Sequence, residues 1–221
     1  MTASPGGWIK LTWIICNGLA VVSTLVCLFY LYRACRPARP KWPLLSIALI
    51  GGTTVVTIWQ FFSPELLAAL RRDPDALRAG EWWRLLTALF VQPDGVGQCL
   101  ANGALMLMFI PAAERLYGGR MLIVYFAAGV AGQLVNFIWS SGSGGSSTAI
   151  FGVMGSLLLY VVMNRARLRR PFQFIAHLGL LAAVFMMVLR DGNGVGLIVG
   201  AALASLLVTR EVVFRSPQEA K

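Results

Sequence analysis

A chain of 221 residues that is 57% hydrophobic and only 13% charged, with a mean hydropathy of +0.72, is far more apolar than a soluble domain, in which about a quarter of the residues are charged. A formal charge of +10 would suggest nucleic-acid binding in a soluble protein. Here the basic residues fall in short joints between apolar runs, so membrane orientation explains them, no nucleic-acid partner is expected, and there is little room for a separate soluble domain.

The first apolar run, residues 11–32, lacks a small-residue cleavage pattern and is too long for a signal-peptide core, so it is expected to stay as a membrane helix. Further spans are predicted at 44–62, 99–113, 121–139, 148–163, 172–189 and 195–208. The third and seventh are about 15 residues long, near the lower limit for crossing a bilayer, which burial inside a bundle would tolerate. Between the second and third runs, Leu66, Leu67, Leu70 and Leu77 alternate with Arg71, Arg72, Asp73 and Arg78, and Trp82 and Trp83 follow. That mixture fits an element lying at the outer membrane surface; an inert loop is the equal alternative from composition. The four cysteines, Cys16, Cys27, Cys35 and Cys99, lie in or beside apolar runs without metal-type spacing. Buried free thiols are expected, with no metal and no cofactor.

Placing alternate joints on opposite sides gathers Arg33, Arg36, Arg39, Lys41, Arg115, Arg120 and the arginines from Arg165 to Arg170 on one face. Arg210, Arg215 and Lys221 join them, against only Glu114, Glu211 and Glu219. The positive-inside rule then puts the C-terminus in the cytoplasm, and an odd number of spans puts Met1 outside. A bacterial inner membrane is the expected location. The chain divides into a leading helix with its basic joint (1–42), a membrane domain (43–210) and a short tail (211–221).

From Gly80 to Ala204 several motifs occur in order. Glu81-Trp82-Trp83-Arg84 is followed by Gln98 and, four residues on, Asn102; then come Glu114-Arg115, Gly118, Arg120, Tyr125, Gly129 and Gly132. Gly145-Ser146-Ser147-Thr148-Ala149-Ile150-Phe151-Gly152 closes the series. Taken alone, a serine in so Gly/Ser-rich a run reads as a flexible loop or a helix N-cap. In this order and in a membrane context, the set resembles the rhomboid family of intramembrane serine proteases. The resemblance implies an all-α polytopic bundle, a six-helix core spanning 44–208, with 11–32 as an extra leading helix. It also implies a Trp-Arg motif at Trp83-Arg84, and Ser147 in the place of the family's nucleophile in Gly-x-Ser-Gly.

The family's chemistry is a serine and histidine dyad, with an oxyanion hole completed by a histidine and an asparagine on the second core helix. A hydroxyl is a poor nucleophile until a base within hydrogen-bond reach takes its proton. Here the sixth-helix histidine aligns with Gly196, in the register set by Asn193-Gly194, or with Leu197 if the register slips by one. Neither accepts a proton. On this alignment a histidine restored at 196 would stand over Ser147. The second-helix histidine is replaced by Gln98, whose amide can still donate, and Asn102 keeps the family's asparagine. Thr148 replaces the motif's second glycine and is expected to crowd a close helix contact. His177 is the only histidine. Helical rise leaves it about 17 Å below Ser147, which points to packing rather than catalysis. Lys10, Lys41 and Lys221 lie at or beyond the membrane boundaries.

Two functions follow from the resemblance. One is a pseudoprotease that holds transmembrane clients without cutting them, with lipids as its other partner. The alternative is an active intramembrane serine endopeptidase with Ser147 as nucleophile and Gln98 and Asn102 in the oxyanion hole. Transport has little support, because no helix pair shows repeat symmetry or polar breaks. Oligomeric state and client identity are left open.

Overall fold

The computed structural model describes residues 5–34, 42–139, 144–164 and 169–207, and these form helices joined by short turns. The long helices are α1 (Pro5–Ala34), α2 (Leu44–Gln60), α6 (Val96–Tyr117), α7 (Arg120–Ile138), α8 (Ser147–Met163), α9 (Arg170–Val188) and α10 (Gly192–Leu207). Three short helices, α3 (Pro64–Leu70), α4 (Pro74–Arg78) and α5 (Arg84–Thr87), fill the segment between α2 and α6. Helices α1, α6, α7 and α9 are each long and apolar enough to cross a membrane; α2, α8 and α10 are shorter apolar helices of 17, 17 and 16 residues. The protein is therefore an all-α polytopic membrane bundle, with α2 and α6 to α10 as its core and α1 added in front.

The predicted third span begins too late and stops too early. Helix α6 starts at Val96 and continues through Pro111 to Tyr117, although Gln98, Asn102, Glu114 and Arg115 interrupt its hydrophobicity. Those polar groups do not break it because they are spent on tertiary bonds. The Glu114 carboxylate accepts from the backbone N–H of Leu45 (3.1 Å) and Ser46 (2.7 Å), so it caps the start of α2, where no α2 side chain does.

Helix α8 is the axis of the bundle, packed against α6, α7, α9, α10 and α1. Its approach to α10 is through backbone. A Cβ added at Gly200 would overlap the Gly152 carbonyl, and one at Gly155 would overlap that of Leu197. Small residues are what allow such proximity, and in a bilayer that packing replaces the hydrophobic drive.

The segment 64–90 folds as a folded-over surface element. Ser63 and Asp73 cap α3 and α4, each with proline following at the first helical position. Hydrogen bonds from Ala76 and Asp75 to Asp73 hold its carboxyl below the usual range, the Ala76 bond contributing most. Leu77, Leu85, Ala88 and Leu89 turn inward, whereas Trp82 and Trp83 are exposed. Arg84 staples the element: its Nε donates to Glu81 at 2.6 Å and its Nη1 donates to the carbonyls of Ala68 and Arg71.

Candidate active site

Ser147 is the first residue of α8, and the turn delivering it uses Gly144 and Gly145 with φ of +116° and +124°. Only glycine adopts such angles freely, so Gly144-Gly145 is a built turn. Ser147 opens into a polar cavity of about 340 Å³. Its wall comes from several elements: Gln98 of α6, Gln133 and Asn136 of α7, Asn193 of α10, Arg72 and Asp94 of the surface loops, and Trp13 of α1. Its neighbour Ser146 is fully buried and accepts from Gln92 Nε2 at 2.9 Å.

The two oxyanion candidates do not stand side by side. Gln98 lines the cavity, its Nε2 donating to the Gly144 carbonyl at 3.2 Å and its Oε1 accepting from the Asp94 N–H at 3.0 Å. Asn102 lies outside the cavity lining and donates to Gln92 Oε1 at 2.7 Å. Gln92 in turn exchanges two bonds with Gln60, its N–H donating to Oε1 and its C=O accepting from Nε2. The result is a buried amide relay running from α2 through the 92 loop to α6 and the serine turn. Through Gln92, Asn102 is linked to Ser146, the residue before Ser147.

The expected place of the missing base also changes. A Cβ at Gly196 would overlap the Thr148 carbonyl, so position 196 faces the α8 backbone and not the cavity. Leu197 is fully buried in the apolar core. The α10 side chain that reaches the cavity is Asn193. A histidine at 196 therefore has no room to stand over Ser147. Nor does Thr148 crowd the α8–α10 contact. Its methyl fits against Gly132, where an added Cβ would sit 2.8 Å away, and its hydroxyl donates to the Gly129 carbonyl at 3.2 Å. His177 is exposed on α9, bonded through Nδ1 to the Gln173 carbonyl at 2.6 Å, and contributes nothing to the cavity wall.

Charge in the cavity comes from Arg72, Arg190, Asp94 and Asp191. Arg72 is buried, with Nη1 donating to the Gln133 carbonyl at 3.1 Å, and burial pulls its guanidinium down to about 10, still cationic at neutral pH. Arg190 takes a left-handed conformation (φ 57°) in the turn between α9 and α10. Asp191 accepts from the Asn193 N–H at 2.9 Å and from Asn17 Nδ2 at 2.9 Å.

Residues 79–210, more than half of the chain, match the model of the Rhomboid domain. The chain belongs to the rhomboid family. Among its relatives, Rhomboid protease GluP of Bacillus subtilis (strain 168) is 38% identical over 118 residues, covering 52% of this chain and 22% of that protein. Putative rhomboid protease YdcA of the same organism is 33% identical over 117 residues, covering 48% and 58% respectively. RHOMBOID-like protein 9, chloroplastic, of Arabidopsis thaliana is 28% identical over 155 residues, covering 68% and 30%. The chain thus spans between about a fifth and somewhat over half of the length of these relatives.

In this rhomboid protein the motif reading singled out Ser147 and Gln98, both of which line the cavity, used Asn193 only to set a register, and gave no site role to Gln92, Gln133 and Asn136. A usable signal was present. Carboxamides are costly in apolar segments unless paired, and Gln133 and Asn136 stand three apart, on one face of α7. Asn17 of α1 is the same kind of residue in a largely apolar run.

Proposed function

We propose that this rhomboid protein is a client-binding pseudoprotease of the membrane, holding transmembrane segments beside Ser147 without efficient hydrolysis. The observation that carries this is the identity of the α10 side chain that lines the same cavity as Ser147. Asn193 presents a carboxamide, which has no basic nitrogen and cannot take the serine proton at neutral pH. Removing the base of a catalytic serine costs on the order of 10⁶ in turnover. Gln98 retains donor capacity at the cavity, so a client carbonyl can still be bound there, and Asn102 supports the serine turn from behind.

The same reading has the protein in a bacterial inner membrane with its N-terminus outside and its C-terminus cytoplasmic. That orientation rests on the basic joints. A leading unit (1–42), a membrane domain (43–210) and a tail (211–221) complete the organisation; 208–221 lie outside the described residues.

A second reading, an active intramembrane serine endopeptidase, is favoured by Asp94 and Asp191 in the same cavity as Ser147 and by the protease names of two relatives. Reconstitution with a fluorescent transmembrane peptide separates the two. Binding without cleavage products over a day supports the first; cleavage abolished by Ser147→Ala establishes the second.

A further inference from the structure

Helix α1 lies outside the residues matched to the family and packs on α9 and α8. One of its polar side chains reaches the turn that opens α10, where Asp191 and Asn193 line the Ser147 cavity. That side chain is Asn17, and Trp13, four residues earlier on the same helix face, lines the cavity as well. The turn itself is held from the core. Gly192 N–H donates to Asn136 Oδ1 of α7 at 2.9 Å, and Asn193 N–H donates to Asp191 Oδ1 at 2.9 Å, which leaves the second carboxylate oxygen for α1.

A carboxylate accepts hydrogen bonds, whereas a carboxamide has a donor end and an acceptor end, so the order of these three groups decides which way each amide points. Asp191 Oδ2 accepts from Asn17 Nδ2 at 2.9 Å, and the Trp13 carbonyl accepts from the same nitrogen at 3.0 Å. Both of its hydrogens are thereby committed. Asn17 Oδ1 then accepts from Asn193 Nδ2 at 3.2 Å. With its nitrogen turned to α1, the Asn193 carboxamide keeps Oδ1, an acceptor to which no group donates among the described residues. Gln133 adds a second one to the same wall. Its Nε2 is spent on the Gly145 carbonyl, and its buried Oε1 has no partner among the described residues. A buried acceptor is costly until something donates to it. Asp94 and Asp191 in the wall are balanced by Arg72 and Arg190, so charge does not select a cationic donor over a neutral N–H.

We infer that Asn17 is a positioning residue of the Ser147 cavity: anchored on Asp191, it holds the Asn193 carboxamide with its nitrogen toward α1, so that the α10 wall presents an oxygen that accepts a backbone N–H of the client. This rests on the client-binding reading and names the chemistry the site selects, a peptide unit with an uncommitted N–H. Helix α1 is thereby part of the site although Asn17 itself does not touch the client. Leucine at 17 removes both the donor that Asp191 accepts and the acceptor that orients Asn193.

The test uses the full chain in lipid nanodiscs and two dansyl-labelled, leucine- and alanine-rich transmembrane peptides. One carries Gly-Gly near its outer end; in the other an ester oxygen replaces the N–H between those two residues. Binding is read by fluorescence transfer from the protein's tryptophans. The parent is expected to bind the amide peptide about tenfold more tightly than the ester, the equivalent of one hydrogen bond. That preference should shrink to about twofold or less in Asn193→Leu, in Asn17→Leu and in Asn17→Ala, which adds no bulk, while Gly18→Leu, on an exposed face of α1 with open space around it, should retain it. Because Asn17 acts through Asn193, the double variant Asn17→Leu/Asn193→Leu should bind the amide peptide no more weakly than Asn193→Leu alone, a result that general loosening of the fold would not give. Undiminished preference in both Asn17 variants, or losses that add in the double variant, would overturn the positioning role. Equal binding of amide and ester by the parent would overturn the acceptor while sparing the client-binding reading. If the parent bound neither peptide, the client-binding reading would fall and this inference with it.

Discussion

Gln92 commits its backbone N–H and C=O to Gln60 while its side chain accepts from Asn102 and donates to Ser146. Replacing it with leucine strands Asn102 and Ser146, both buried, without their partner. A buried polar group left unsatisfied costs about 1 to 3 kcal/mol, so Gln92→Leu should lower stability in detergent unfolding by at least that much. An unchanged unfolding midpoint would remove the relay from the account. At this scale the motif order picked out Ser147 and Gln98, which the fold brings to one cavity. The bond from Asn102 to Gln92 was not legible, because Gln92 sits in a loop whose course no local pattern specifies. Asn193 was missed for a different reason. In a run as rich in glycine as Gly192 to Gly200 the sequence does not fix the register, and position 196, three residues beyond Asn193, is turned to the Thr148 backbone by the packing of α10 on α8.

The helices themselves were largely legible, since seven apolar runs gave seven long helices. Their ends were not. Helix α6 outlasts its apolar stretch because Glu114 is held at the start of α2, a contact between residues far apart in sequence. Glu114→Ala should therefore cost about 0.5 to 2 kcal/mol, the usual loss for a helix cap, seen as a lower melting midpoint. The α8–α10 contact gives a larger effect. Gly200→Leu forces a side chain into the Gly152 backbone and should destabilise by about 1 to 3 kcal/mol or prevent folding, whereas Gly51→Leu, on a helix face with open space around it, should leave the midpoint unchanged. Equal behaviour of the two variants would show that the glycine pairing between α8 and α10 is wrong.

For the whole molecule, charge asymmetry is a statement about the two sides of the membrane. Reporter fusions at Arg39 and Arg167 should read cytoplasmic and one at Asp75 outside; the reverse pattern would move the Ser147 cavity to the cytoplasmic side and overturn the orientation. The bundle was legible from hydropathy, and its rhomboid character from motif order. The place of α1 was not, because an added helix has no counterpart in the motif series and its position depends on Asn17 meeting Asp191 and Asn193. Function turns on whether any group in the assembled cavity can take the proton of Ser147. The most direct measurement is fluorophosphonate labelling of the purified protein in detergent at neutral pH, beside Ser147→Ala. The account predicts no labelling above that of the alanine variant. Strong labelling that disappears with Ser147→Ala would contradict it and make the chain a working serine hydrolase.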